Sequence, residues 1–239
     1  MKKLLSIAVC VSAVAAFATD VPVSLGEVGV TAVNSSTTNT VIAVSYTDLA
    51  SVGNITASNL VKTANLTVGD LLYVYNDASF DAFELDMSGG VKYWKPSTVV
   101  SPLDAGITVS KSSSADSVRV AVGKGVWLIR GSDWDGEPFT FYIYGKPVDS
   151  LAPVTVSGGS ALVGNPTQVS KSPTFTSGPT AGDKIVVPYA NKTGALIWNY
   201  SSADGGYWWV KAGQTSLTAP AIPAGTGFWY VGTATFNWN

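Results

Sequence analysis

Apolar residues come along this chain in short runs of Val, Ile, Leu, Tyr and Trp, cut every few positions by Gly, Asn, Asp, Ser and Pro. Stretches 40–46, 71–75, 117–122, 126–130, 139–144, 184–187, 206–211 and 227–231 have the length and the β-branched or aromatic content of strands. An apolar period of 3.6 residues is almost absent. The pattern therefore predicts an all-β chain of sandwich or barrel-like architecture. Stretch 48–63 fits it least well, and a short helix there is compatible with the residues.

The order of the runs repeats. The first series reads Val41-Ile42-Ala43, Gly69-Asp70 before an apolar strand, Ala82, Gly89-Gly90, Trp94-Lys95 and Gly123-Lys124-Gly125-Val126-Trp127. The second reads Leu162-Val163-Gly164, Gly182-Asp183, Ala195, Gly205-Gly206, Trp208-Trp209 and Gly225-Thr226-Gly227-Phe228-Trp229. Gly-Asp is a turn signal, because Gly accepts positive φ and Asp bonds its own backbone. Gly-Gly before an aromatic strand is a hairpin signal. The expected division is a signal peptide at 1–18, an N-terminal strand segment at 19–40, β repeat 1 at 41–146, a Pro/Gly/Ser-rich linker at 147–160 and β repeat 2 at 161–239. Segment 170–180 reads as an exposed loop. Trp127 and Trp229 fall at matching places and are expected in the core.

The first residues support a secreted or surface location. Lys2-Lys3, an apolar run from 4 to 17 and Ala16-Phe17-Ala18 have the order of a signal peptide of bacterial type. Cys10 lies within that run and is the single cysteine of the chain. No later stretch is long and apolar enough to be a transmembrane helix.

Only 13% of the residues are charged, the net charge is −2, and no basic cluster occurs. Nucleic acid and anionic lipid are thereby disfavoured as partners. Sparse charge with 46% hydrophobic residues fits either a surface covered by a neighbour or a sandwich whose surface carries hydroxyls.

The chain has no histidine. Ser-His-Asp and Cys-His catalysis and ordinary zinc sites are excluded with it, and no cofactor is expected. Glu84 and Asp86 lie two apart on one strand face. Such a pair is a candidate for glycoside chemistry, but Ile197 and Asn199 at the matching places of the second series speak against it. Asp133-Trp134-Asp135-Gly136-Glu137 alternates oxygen ligands around a glycine. Asp133, Asp135 and Glu137 are accordingly the place to look for calcium, although a hairpin tip explains them as well.

Aromatic residues are the better binding candidates. Tyr93, Trp94, Tyr207, Trp208 and Trp209 would make a carbohydrate platform if their rings stand free, and neighbours in a strand point to opposite faces. The segment that opens the mature chain offers a different role. Val21, Val23 and Leu25 alternate, then the register switches to Val28 and Val30 across Gly26-Glu27. Pro22 assigns this end to a sheet edge. Such a strand either closes the chain's own sheet or is donated to a neighbour's.

Twin Gly-Asp-strand, aromatic-hairpin and G-x-G-[Val/Phe]-Trp units behind a signal peptide resemble uncharacterised secreted bacterial β-repeat proteins. The resemblance implies no activity, and Val163-Gly164-Asn165-Pro166 reads as a turn of that group. The functional expectation is a non-enzymatic structural or adhesive surface protein whose partners are itself or other surface proteins. The alternative is a glycan-binding protein.

Overall fold

A computed structural model describes residues 23–25, 28–35, 39–47, 54–60, 66–76, 79–98, 109–110, 114–131, 135–136, 139–148, 151–188, 195–203, 206–214 and 219–238. The expected signal peptide lies outside them. The chain is all-β, in several mainly antiparallel sheets.

Strands β1 (Val23–Leu25), β2 (Val28–Ser35) and β3 (Asn39–Ala43) come first. The short β4 (Ile55–Thr56) leads into a single helical turn, α1 (Ala57–Leu60). Then follow β5 (Leu71–Tyr75), β6 (Phe80–Ser88), β7 (Val91–Pro96), β8 (Val109–Ser110), β9 (Arg119–Val120), β10 (Gly125–Ile129) and β11 (Phe139–Gly145). The rest comprises β12 (Val154–Val156), β13 (Ser160–Gly164), β14 (Thr174–Ser177), β15 (Lys184–Pro188), β16 (Ala195–Ala203), β17 (Gly206–Lys211), β18 (Gly227–Val231) and β19 (Ala234–Asn237).

Two large sheets carry the architecture. One has the order β3-β10-β5-β6-β7, with β8 joined to β6, and the other has the order β13-β18-β15-β16-β17. Position for position the orders are the same. Trp127 pairs with Val41 and Tyr73, and Trp229 with Leu162 and Val186. The Gly-Asp turns are held alike. Gly69 N–H donates to the Leu85 carbonyl at 2.8 Å and Gly182 N–H to that of Tyr200 at 2.9 Å, while Leu85 and Tyr200 N–H return to the Asp70 and Asp183 carbonyls at 2.8 Å.

The register corrects two sequence alignments. Ala82 faces Tyr73, as Ile197 faces Val186, so Ala195 matches Phe80 rather than Ala82. Chain length is the cause: the first hairpin closes between Tyr75 and Phe80, the second only between Pro188 and Ala195. Glu84 and Asp86 therefore correspond to Asn199 and Ser201, not to Ile197 and Asn199.

Each large sheet packs one face against a three-stranded sheet. In the first half that sheet is β1-β2-β11, and in the second β12-β19-β14. Between the layers of the first half lie Ile42, Leu72, Val74, Phe83, Leu85, Trp94, Val126, Leu128 and Ile143, closed at one end by Ala57 and Leu60 of α1. In the second half Val154, Val156, Val163, Ile185, Trp198, Phe228, Tyr230, Phe236 and Trp238 fill the same space. Two expectations change here. Segment 147–160 contains β12, because Val154 and Val156 alternate inward around Thr155. Segment 170–180 contains β14, whose Phe175 stacks on Phe236 at 5.4 Å. The Pro and Gly residues that gave both segments the look of loops only bound the strands.

The halves meet through the other faces of the large sheets. Val41, Tyr73, Phe80, Ala82, Ile129 and Leu162 are buried there, with Tyr75, Trp127 and Trp229 packed on them. Trp127 and Trp229 are thus half-buried between the halves rather than enclosed in either core, with ring centroids 6.5 Å apart. The backbone contacts are reciprocal: Ala43 N–H donates to the Gly225 carbonyl at 2.9 Å, and Gly164 N–H to the Gly123 carbonyl at 3.0 Å.

Candidate functional site

The predicted aromatic platform separates into three parts. Trp94 lies on the inward face of β7 and is only 7% exposed, packed in the core of the first half. Its ring is closed to a ligand, because strand alternation turns Trp94 into the core while its neighbours Tyr93 and Lys95 face away. Trp209 takes the matching place in the second half, half-buried against Phe175, Tyr200 and Tyr230 with centroids 5.6, 5.2 and 6.4 Å away. Among the described side chains of the platform Tyr93 alone stands out, at 44% exposure. The side chains of Tyr207 and Trp208 lie outside the described set, although the backbone register makes Trp208 the counterpart of Tyr93.

Around Tyr93 the β6–β7 hairpin gathers polar and apolar groups on one tip. The turn is Gly89-Gly90, with φ of 58° and 79°. Positive values at both central positions are what a two-residue hairpin with matching strand twist requires. Asp86 faces Tyr93 across the strands and Glu84 faces Lys95. Lys95 Nζ donates to Asp86 Oδ2 at 2.9 Å and lies 3.8 Å from Glu84 Oε2. Val91 and Met87 are exposed beside them. The hydrogen bond from Lys95, helped by the Met87 N–H, holds the Asp86 carboxyl below the usual carboxylate range. In return Asp86 holds the Lys95 ammonium above the lysine range. A glycosidase general acid needs the opposite, a carboxyl kept protonated by its surroundings. The hairpin therefore offers a fixed charge pattern beside a free aromatic ring, a surface suited to recognition.

Of the calcium candidates, Asp135 is exposed next to Gly136, whose φ is 87°. That φ fits the hairpin-tip reading. Asp133 and Glu137 lie outside the described residues. Among the described residues no three of His, Cys, Asp and Glu gather into a group that would hold a metal.

The N-terminal strand pairs within the chain. Val23 and Leu25 of β1 pair with Val30 and Val28 of β2, and β2 continues along β11 from Gly29↔Gly145 to Ser35↔Phe139. Val21 lies outside the described residues.

Sequence reading missed the two polar centres that the fold builds. Asp70 is wholly buried. Its carboxylate accepts from Thr67 N–H at 2.9 Å, Gly131 N–H at 2.8 Å and Arg130 Nε at 3.1 Å. Asp183 accepts from Thr180 N–H at 3.1 Å, Thr180 Oγ1 at 3.0 Å and the Tyr230 hydroxyl at 2.6 Å. The register makes Leu128 and Arg130 the counterparts of Tyr230 and Gly232 in the two halves. The donor to the buried carboxylate has thus moved two positions, from Arg130 to Tyr230. Gly232 leaves the room, since a Cβ there would lie 2.2 Å from the Asp183 carboxyl carbon. Burial, and the hydrogen bond to Asp183, push the Tyr230 phenol well above its ordinary range. Asn165, also wholly buried, donates from Nδ2 to the Val169 and Ile222 carbonyls at 2.8 Å and accepts from Thr167. A signal existed for the Asp pair. The repeated Gly-Asp implied a carboxylate at a fixed place, but its partners lie about sixty and fifty residues on and follow only from the strand order.

No protein-family model, no curated protein and no solved structure matches the chain.

Proposed function

We propose that this chain is a secreted, non-enzymatic structural or adhesive surface protein, an extracellular subunit that works by presenting its surface. One observation carries the reading: among the described residues the buried charged side chains, with Tyr230 and Asn165, are spent on shape. Asp70, Arg130, Asp183, Tyr230 and Asn165 each close a turn or tie strand ends, in matching places of two sheets with one strand order. Two such units joined at a tight aromatic contact make a stiff scaffold. Duplication of one ancestral unit is the simplest origin of that order. The similarity to secreted bacterial β-repeat proteins belongs to the same proposal, as does the bacterial surface location.

The test is twofold. Purified protein is screened with esterase, protease and glycosidase substrates, and the expressing cells are fractionated. The expected result is no turnover above background, with the protein in the medium or at the cell surface. Turnover abolished by Glu84→Gln, or retention in the cytoplasm, overturns the reading.

Glycan binding has one observation of its own in favour, the free Tyr93 ring beside the Asp86–Lys95–Glu84 cluster. An aromatic face with charged hydrogen-bond partners at its rim is how a sugar ring is held. Retention on a glycan array that Tyr93→Ala removes would support this second reading over simple adhesion.

A further inference from the structure

Three rungs of the β6–β7 hairpin share one face: Ser88 opposite Val91 at the tip, then Asp86 opposite Tyr93, then Glu84 opposite Lys95. Further along β6 the same face carries Ala82 and Phe80, which are buried with Leu162 of the second half. The rungs therefore continue the joint between the halves past its rim. There the face is uncovered. Val91 and Tyr93 are exposed, and the side chains of Glu84, Asp86 and Lys95 are part-exposed beside them.

The second half builds the same hairpin from other residues. Its rungs are Ala203 opposite Gly206, Ser201 opposite Trp208 and Asn199 opposite Val210. An aromatic residue keeps the middle rung in both halves, while the charges occur in the first alone. β16 and β17 pair over their full length without them, so folding such a hairpin does not require Glu84, Asp86 and Lys95.

The three charges are unequally engaged. Asp86 accepts twice, from Lys95 Nζ at 2.9 Å on Oδ2 and from the Met87 N–H at 2.7 Å on Oδ1. Glu84 comes no nearer to Lys95 than 3.8 Å, outside hydrogen-bond distance. Two carboxylates against one ammonium leave the face with negative charge in excess, and Glu84 carries it. Glu84 is also the diagonal neighbour of Tyr93, about 7–8 Å away across the strands. One sugar ring bridges such a span between its apolar face and an amino substituent.

We infer that this face of the β6–β7 hairpin binds an amino sugar of a surface polysaccharide, the ring on Tyr93 and the ammonium on Glu84. A cation so placed meets both an aromatic face and a carboxylate. The second half favours a saccharide over a basic peptide. Ser201 and Asn199, beside the register position of Trp208, suit hydroxyl groups and offer a peptide cation no charge. The inference rests on the glycan reading given above and names its ligand.

Chitosan and chitin oligosaccharides of equal length test it, because they differ in the free amine that acetylation removes. Binding to the purified full chain is measured by calorimetry in mildly acidic buffer, where the amine is protonated. The chitosan oligomer is expected to bind up to about tenfold tighter, as an exposed cation–π contact and an exposed ion pair together allow. Added salt should shrink the difference. Glu84→Gln should bring the two oligomers to equal affinity, and Tyr93→Ala should abolish both, each with unchanged β-sheet circular dichroism. Lys95→Met removes the competing ammonium and should tighten chitosan binding, which a purely structural charge cluster would not do. Equal wild-type affinity for the two oligomers overturns the inference and leaves glycan binding standing, as does a chitosan preference that Glu84→Gln keeps. Binding of neither oligomer overturns both. A basic peptide held through Tyr93 and Glu84 where neither sugar binds would assign the face to a protein partner instead.

Discussion

At the scale of single residues, the fold turns on two buried carboxylates that hold their turns with different donors. Arg130 and Asp70 form an ion pair at 3.0 Å with both side chains almost wholly enclosed. Removing one member of such a pair strands the other charge, so Arg130→Ala is expected to cost about 3–5 kcal/mol in urea unfolding. The second half shows what else satisfies the site. Leu128→Tyr combined with Arg130→Gly copies its arrangement and should be less destabilised than Arg130→Gly alone; equal loss in both variants would contradict the equivalence of the two centres. Tyr230 makes a pH-dependent prediction. Its phenol is raised in the folded chain, so the unfolded chain loses its proton first as pH rises. The contribution is complete below the ordinary tyrosine value of about 10 and declines as pH climbs toward the folded value. Tyr230→Phe should lower stability near neutrality by roughly 1–3 kcal/mol, because a buried acceptor loses its donor. The same variant should flatten the alkaline fall, as read from urea midpoints on either side of pH ~10.

At the scale of elements, the G-x-G motif does more than the turn that its sequence suggests. Gly123 and Gly225 have φ of 87° and 67°, which is the turn. The second glycine of each motif lies against the other half. A Cβ on Gly125 would meet the Leu162 Cγ and the Val163 carbonyl oxygen at 2.9 Å, and one on Gly227 would meet Val41 Cγ1 at 2.3 Å. A Cβ on Gly164 would lie 2.3 Å from the Ala43 Cβ and 2.6 Å from its Cα. Backbone cannot swing aside as a side-chain tip does. Gly164→Ala is therefore expected to cost about 1–3 kcal/mol or more by overpacking, measurable as a lower unfolding midpoint. Gly227→Ala, which meets a valine methyl first, should cost less. The strands themselves were legible in the sequence because Val, Tyr and Trp runs bounded by Gly and Asp are local signals. β12 and β14 were not. Each is a strand of three or four residues whose burial depends on β19, a partner far along the chain. The false match of Ala82 with Ala195 has a similar cause, since equal spacing in sequence conceals a difference in hairpin length.

At the scale of the whole molecule, the sequence carried the all-β class and the order of landmarks, but not the way the halves join. Trp127 and Trp229 show why. A tryptophan at a repeated position reads as core, yet whether it faces its own small sheet or the other half depends on which face of the large sheet is left over. The binding platform divides for the same reason: Trp94 and Tyr93 are neighbours, and only the layer above β7 decides which of them is free. What the sequence could not show is a shared cluster in which Trp229 of the second half meets Tyr75, Phe80 and Trp127 of the first, with centroids from 5.8 to 6.5 Å. The Tyr75 hydroxyl also donates to the Ser160 carbonyl at 3.0 Å. Neither large sheet can expose that face without stripping apolar rings into water, so the halves should unfold together. Calorimetry is expected to show one transition whose van't Hoff and calorimetric enthalpies agree. Trp229→Ala should lower stability by roughly 3 kcal/mol, the low end for a large aromatic truncation because the ring is only half-buried. The decisive readout is hydrogen exchange. If the halves are one cooperative unit, this substitution in β18 lowers protection in β5 and β10 of the first half as much as in β15. Loss confined to β13, β15 and β18 would mean that two independent domains merely touch.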